Sequence, residues 1–217
     1  MTLKEYMSQT EFAVKQLFDS IAHYDSILKE AVLPSFTYSG SNDIDYKKKE
    51  EEFFNDPKIK LANKYANKKL NEYLGLKYSR SVICGSIFQI ACMIIDKVSN
   101  NDIEFEFVTK NNKQAIKYCI GRKVRKLPIG LIIYAARNQY SHWTKELYSV
   151  NKQIFDYIAK REIEFEGKLE IWKDPSFNLE LDYFDVHTDQ LFSLIGWNSY
   201  SRYKSDMLNM LSKYEEE

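Results

Sequence analysis

Turn-forming residues are scarce in this chain: glycine and proline occur only 7 and 4 times in 217 residues. A backbone with so few punctuation points favours long helices over many short strands. Apolar residues make up 44% and aromatics 15%, so the helices can enclose a real core. The expectation is a mainly α protein, folded as one domain over residues 1–217, with a small antiparallel β addition.

Helix boundaries follow from local chemistry. Thr2-x-x-Glu5 is a capping-box pattern. Val14, Leu17, Phe18, Ile21, Tyr24, Leu28 and Val32 then repeat at helical spacing, which predicts a first helix ending near Leu33, before Pro34. A charged helix is expected from about Tyr46. Asp56-Pro57 reads as an N-cap and a first-turn proline, opening a helix that ends near Gly75. Ser79 or Ser81 would cap the next helix, which is apolar nearly all round and therefore central.

The period then changes. Ile103, Phe105 and Phe107 alternate with acids, a strand pattern. Alternation returns over Glu162–Phe165 and Lys168–Ile171, either side of a Glu166-Gly167 turn, and again at Leu179, Leu181 and Tyr183. The β addition is thus expected within about 103–108 and 162–184. Between these lie a basic helix from about Asn112 and a long helix from Pro128. A helical pair should cover roughly Thr188 to Tyr214.

Basic and acidic residues balance at 31 each, so overall charge does not advertise a nucleic-acid binder; any such role needs a local patch. Cys84, Cys92 and Cys119 show no metal spacing and read as buried free thiols of a reducing compartment. The N-terminus lacks a signal pattern, and no run of 18 apolar residues suggests a membrane span. The expectation is a cytoplasmic protein without metal or cofactor.

One segment carries chemistry. An apolar stretch from Leu127 ends in Arg137-Asn138-Gln139-Tyr140-Ser141-His142. On a helix of about 100° per residue, Asn138 and His142 share a face, and Arg137 flanks it about 140° from His142. The cluster offers one proton carrier, one cationic fork for phosphate and one amide. Metal-free RNA cleavage needs such parts: a base for the ribose 2′-hydroxyl, a cation for the phosphorane and an acid for the leaving 5′-oxygen.

Arg-x4-His, with Asn after the Arg and set on a late helix, resembles the HEPN superfamily, which includes ribonuclease toxins, abortive-infection proteins and CRISPR-linked nucleases. The resemblance implies a HEPN-like helical bundle and a metal-independent endoribonuclease working as a homodimer across a composite cleft. A toxin or anti-phage effector of this kind would have RNA as substrate and an antitoxin or phage-derived trigger protein as partner. Arg137, Asn138 and His142 take the family's catalytic positions. Thr144 stands where one subgroup has a modified Tyr. The alternative is a non-catalytic HEPN-like module that binds a protein partner or nucleotide.

Seven basic residues and no acid fall between Lys110 and Lys126, just before the motif helix. Lys113, Lys117, Arg122, Lys123, Arg125 and Lys126 are therefore candidate contacts to RNA phosphates. Tyr140 and Ser141 are further substrate-binding candidates. Trp143, Trp172 and Trp197 read as core, and His23 and His187 as structural or surface residues.

Overall fold

The computed structural model describes residues 2–40, 43–141, 149–165, 167–177, 179 and 188–214. The protein is mainly α with a small antiparallel β addition. The helices are α1 Leu3–Glu30, α2 Asp43–Asn55, α3 Pro57–Val98, α4 Ile129–Ser141, α5 Ser149–Ala159, α6 Thr188–Leu194 and α7 Tyr200–Leu211. Two ladders of two strands accompany them: β1 Lys123–Val124 with β2 Leu127–Pro128, and β3 Lys160–Phe165 with β4 Lys168–Lys173. The chain forms two compact units, residues 1–19 with 80–217 and residues 20–79.

The predicted caps form. Thr2 N donates to Glu5 Oε2 at 2.9 Å while Glu5 N donates to Thr2 Oγ1 at 3.2 Å, so two free N–H groups are satisfied reciprocally. Asp56 Oδ1 accepts from Lys58 N at 2.7 Å, and Pro57 occupies the first position of α3. The expected end near Gly75 is overturned, because α3 continues unbroken for 42 residues. A single mid-helix glycine costs only about 1 kcal/mol against alanine, and no proline follows it before Pro128. Ser79 and Ser81 are therefore helix-interior residues rather than caps. By length and composition α3 could cross a bilayer, but half of its apolar stretch is buried within the protein.

In the unit of residues 20–79, Glu30 at the end of α1 meets α3. Its carboxylate accepts from Tyr65 Oη at 2.9 Å and pairs with Lys69 Nζ at 3.0 Å. Phe36 packs against Phe53 and Tyr46 of α2, with ring centroids 5.4 and 5.6 Å away.

In the other unit, α4 is the core helix: every residue from Ile129 to Ala136 is buried. The second half of α3 lays Ile87, Phe88, Ala91, Cys92, Ile94 and Ile95 into the same core. Gly130 lets α4 approach the 3₁₀ turn Ala115–Tyr118, since a Cβ there would lie 2.4 Å from the Tyr118 carbonyl oxygen. Trp197, between α6 and α7, packs on Phe88, Phe192 and Tyr203 at centroid distances of 5.5, 5.9 and 5.0 Å.

The basic stretch does not form the expected helix. It makes one 3₁₀ turn and then the β1–β2 hairpin, so Lys110, Lys113 and Lys117 share no helical face. Arg125 and Lys126, the two residues between the strands, both have left-handed φ angles, 49° and 67°. That is the φ pattern of a tight two-residue hairpin and is incompatible with a continuing helix. Residues 103–107 form no strand beyond one bridge between Phe105 and Val108. The expected hairpin forms between β3 and β4, with Glu162 opposite Ile171 and Phe165 opposite Lys168; Glu166 of the expected turn lies outside the described residues. Of the third alternation only Leu179, in a turn, is described; Leu181 and Tyr183 lie outside the described residues. The C-terminal helical pair forms as expected.

Candidate active site on helix α4

Helix α4 passes from apolar to polar within one step. Ala136 is fully buried, and Arg137 follows at the rim with its side chain 19% exposed. The guanidinium lies 5.8 Å from the Tyr134 ring centre, and its Nη2 is 3.9 Å from Asp96 Oδ2 on α3. Nε and Nη2 are buried without a hydrogen-bond partner. Burial works against its charge, but the neighbouring Cys92, Tyr118 and Asp96 groups outweigh it and hold the guanidinium protonated above its ordinary range. Burial pushes the Cys92 thiol up to about 12, against the pull of Arg137, so Cys92 is neutral at physiological pH. Asp96 is thus the one formal counter-charge paired with Arg137 among the described residues, and at 3.9 Å it is too far to hydrogen-bond the buried Nη2.

Asn138 points the other way. Its side chain is buried and donates through Nδ2 to Asn151 Oδ1 of α5 at 3.2 Å. This bond joins α4 to α5, so Asn138 is placed to hold helices together rather than to touch substrate. Asn151 is itself fully buried, and its own Nδ2 has no partner. Tyr140 is half-buried, with its ring over Gly85 of α3; a Cβ at Gly85 would lie 2.3 Å from a ring carbon. Ser141, the last residue of α4, is exposed. His142, Trp143 and Thr144 lie outside the described residues.

The basic residues divide sharply. Lys117 Nζ donates to the Asp96 carbonyl at 3.0 Å, which brings it to the residue that also faces Arg137. Lys113 and Lys123 are exposed and pair with no carboxylate among the described residues. Arg122 is turned inward. Its Nε and Nη2 each donate at 2.9 Å to the buried carboxylate of Asp206, which also accepts from Trp197 Nε1 at 2.9 Å. Nη2 bonds the Ile195 carbonyl as well. Arg125 donates to Asp174 at 2.8 Å and to the Ile158 carbonyl at 2.7 Å, over the Phe177 ring. Lys126 pairs with Glu162 at 3.0 Å on the surface. The two arginines expected to bind phosphate are therefore structural cations.

Sequence reasoning missed Asp96. Its signal is that it is the first acid after Glu72, ending an apolar half-helix otherwise free of carboxylates. Trp172 was expected in the core, yet it is half-exposed. Among the described residues, no group of three His, Cys, Asp or Glu side chains could hold a metal ion. No family model matches the chain, and no characterised protein or solved structure is detectably similar to it.

Proposed function

We propose that the chain is a metal-independent endoribonuclease of HEPN type, acting as a toxin or anti-phage effector. The observation that carries this reading is the Arg137 guanidinium, a charged group held at the rim of the core with two donor atoms unmet. An unsatisfied buried donor is costly, and a phosphate oxygen is the acceptor a guanidinium fits best. Lys117 reaches the same residue, Asp96, and adds a second cation nearby. Five residues after Arg137, His142 supplies the group that can move a proton.

In this reading His142 takes the proton of the ribose 2′-hydroxyl, which attacks the adjacent phosphate. Arg137 stabilises the charge that builds on the phosphorane. The departing 5′-oxygen needs a proton from a second donor, which a second copy of His142 would provide in a homodimer. Asn138 is a positioning residue: through Asn151 it fixes α4 against α5. To meet a phosphate, the guanidinium would turn outward from Asp96, because its Nε and Nη2 are buried.

The test is RNA cleavage by wild type beside His142→Ala and Arg137→Ala, with and without EDTA. Expected are EDTA-resistant cleavage, a 2′,3′-cyclic phosphate product, no cutting of DNA, and a loss of roughly 100-fold or more in each variant. Strict magnesium dependence, DNA cleavage or full activity in His142→Ala would sink the mechanism. The second reading, a non-catalytic module binding a protein partner or nucleotide, draws support from the inward placement of Asn138. It expects no cleavage at all from folded protein.

A further inference from the structure

A cleft of about 620 Å³ lies beside the β3–β4 hairpin, lined by Glu106, Arg125, Lys126, Tyr157, Lys160, Arg161, Glu162 and Trp172. Its volume falls within the range of small-ligand sites. The hairpin that forms one wall is unusually bare: all six residues of β4 are exposed, and Leu169, Ile171 and Trp172 are 66%, 69% and 50% exposed. Trp172 stacks on no other ring among the described residues. It stands directly opposite Arg161 across the ladder. Opposed residues of an antiparallel pair project from the same face with Cβ atoms about 5 Å apart, so an indole and a guanidinium emerge side by side.

The charges of the cleft are unequally occupied. Glu162 is taken by Lys126 at 3.0 Å. Glu106 accepts from Tyr157 Oη at 3.0 Å. Arg125 is committed to Asp174. Lys160 and Arg161 remain, with no carboxylate partner among the described residues. The Tyr157 wall is held firmly, with its ring packed on Phe105 and Phe107 at 5.9 and 5.7 Å. A fixed aromatic wall, an uncovered indole and two unspent cations in one cleft match what an unpaired nucleotide strand requires: a flat surface for a base and adjacent positive charge for its phosphates.

We infer that this cleft binds single-stranded nucleic acid, with a base stacked on Trp172 and the flanking phosphates on Lys160 and Arg161. A duplex keeps its bases stacked on one another and cannot offer one to the indole. The site is separate from the chemistry at Arg137 and does not depend on it. The two are joined through α5, because Asn151, bonded to Asn138, and Tyr157 lie within two turns, about 9 Å of rise, on that helix.

The test reads binding apart from cleavage. A fluorescein-labelled, 2′-O-methylated oligouridine of about 12 nucleotides lacks the 2′-hydroxyl nucleophile, and its anisotropy is titrated with wild-type protein. An oligothymidine of the same length and a duplex of matched length are run beside it. Expected is binding to both single strands with little to the duplex; RNA-over-DNA preference or parity supports the inference alike, since base and phosphate are common to both. Trp172→Ala should weaken binding about tenfold or more, and Trp172→Phe should restore most of it. Lys160→Glu with Arg161→Glu should weaken it further and flatten the salt dependence by about 0.7 in log–log slope per lost contact. Circular dichroism should show every variant folded, because these side chains are exposed. Absence of single-strand binding, equal affinity for the duplex, unchanged affinity in Trp172→Ala, or equal competition by polyglutamate would overturn the proposal. RNA cleavage by wild type with no effect of Trp172→Ala on binding would leave the α4 reading standing and remove this one.

Discussion

Replacing Asp206 by alanine should unfold the larger unit far more readily than its single carboxylate suggests. Asp206 is 4% exposed on α7 and accepts three hydrogen bonds of 2.9 Å, two from Arg122 and one from Trp197. Removing one partner of a buried ion pair costs about 3–5 kcal/mol. The Arg122 side chain is 33% exposed, so water recovers part of its stranded charge and the lower end, about 3 kcal/mol, applies. The orphaned Trp197 N–H adds about 1 kcal/mol. At about 2–4 °C per kcal/mol for a chain of this size, the melting temperature should fall by roughly 8–16 °C. No tryptophan falls within residues 20–79, and Trp172 and Trp197 lie in the unit that contains Asp206, so tryptophan fluorescence follows unfolding of that unit. Asp206→Asn keeps an acceptor for Trp197 and should lose about half as much. Arg122→Met combined with Asp206→Leu should recover most of the loss, because no charge is then left buried alone. A fall of less than about 3 °C in Asp206→Ala would refute the reasoning and return Arg122 to the pool of cations available for phosphate.

Two further outcomes follow from the same physics. Asn138→Ala strips the donor from a fully buried Asn151 and should cost about 1–3 kcal/mol in urea denaturation, while Asn138→Leu with Asn151→Leu should cost less than the single change; equal losses would deny the pair its role. Burial raises the thiols of Cys92 and Cys119, from 9.0 to about 12 and about 11, and the Tyr6 phenol, from 10.0 to about 12. Above pH 9 the unfolded chain therefore releases protons that the folded chain retains, and stability should decline steadily toward pH 12; a urea midpoint constant from pH 8 to 10.5 contradicts this.

Features set by neighbours in sequence were legible in it. Thr2 and Glu5 cap α1, Asp56-Pro57 opens α3, and the alternation around Glu166-Gly167 becomes β3 and β4. The run after Pro128 becomes α4 with Arg137 and Asn138 near its end, although Pro128 itself closes β2 rather than opening the helix. What escaped depends on distant partners. Asp206 lies 84 residues from Arg122, and Asp174 lies 49 from Arg125, so no local pattern could reveal that these cations are spent. Asp96 meets Arg137 across two helices. The break in the basic stretch comes from two residues, Arg125 and Lys126, whose left-handed backbone their side chains do not advertise. Exposure of Trp172 was illegible for the same reason: a strand pattern fixes which residues share a face, not whether anything covers that face.

The bare hairpin also bears on how this protein behaves when crowded. Each of β3 and β4 has one neighbour in a two-stranded ladder, so two edges remain able to recruit strands from other molecules. Their sequences, Lys-Arg-Glu-Ile-Glu-Phe and Lys-Leu-Glu-Ile-Trp-Lys, interrupt every apolar stretch with a charge after at most two residues. In-register stacking of identical copies would set lysine on lysine and glutamate on glutamate along the length of a fibril, which opposes its growth. Neutralising Glu164, Lys168 and Glu170 together would thin that guard over the half of the ladder nearest the turn and raise the hairpin's tendency to aggregate.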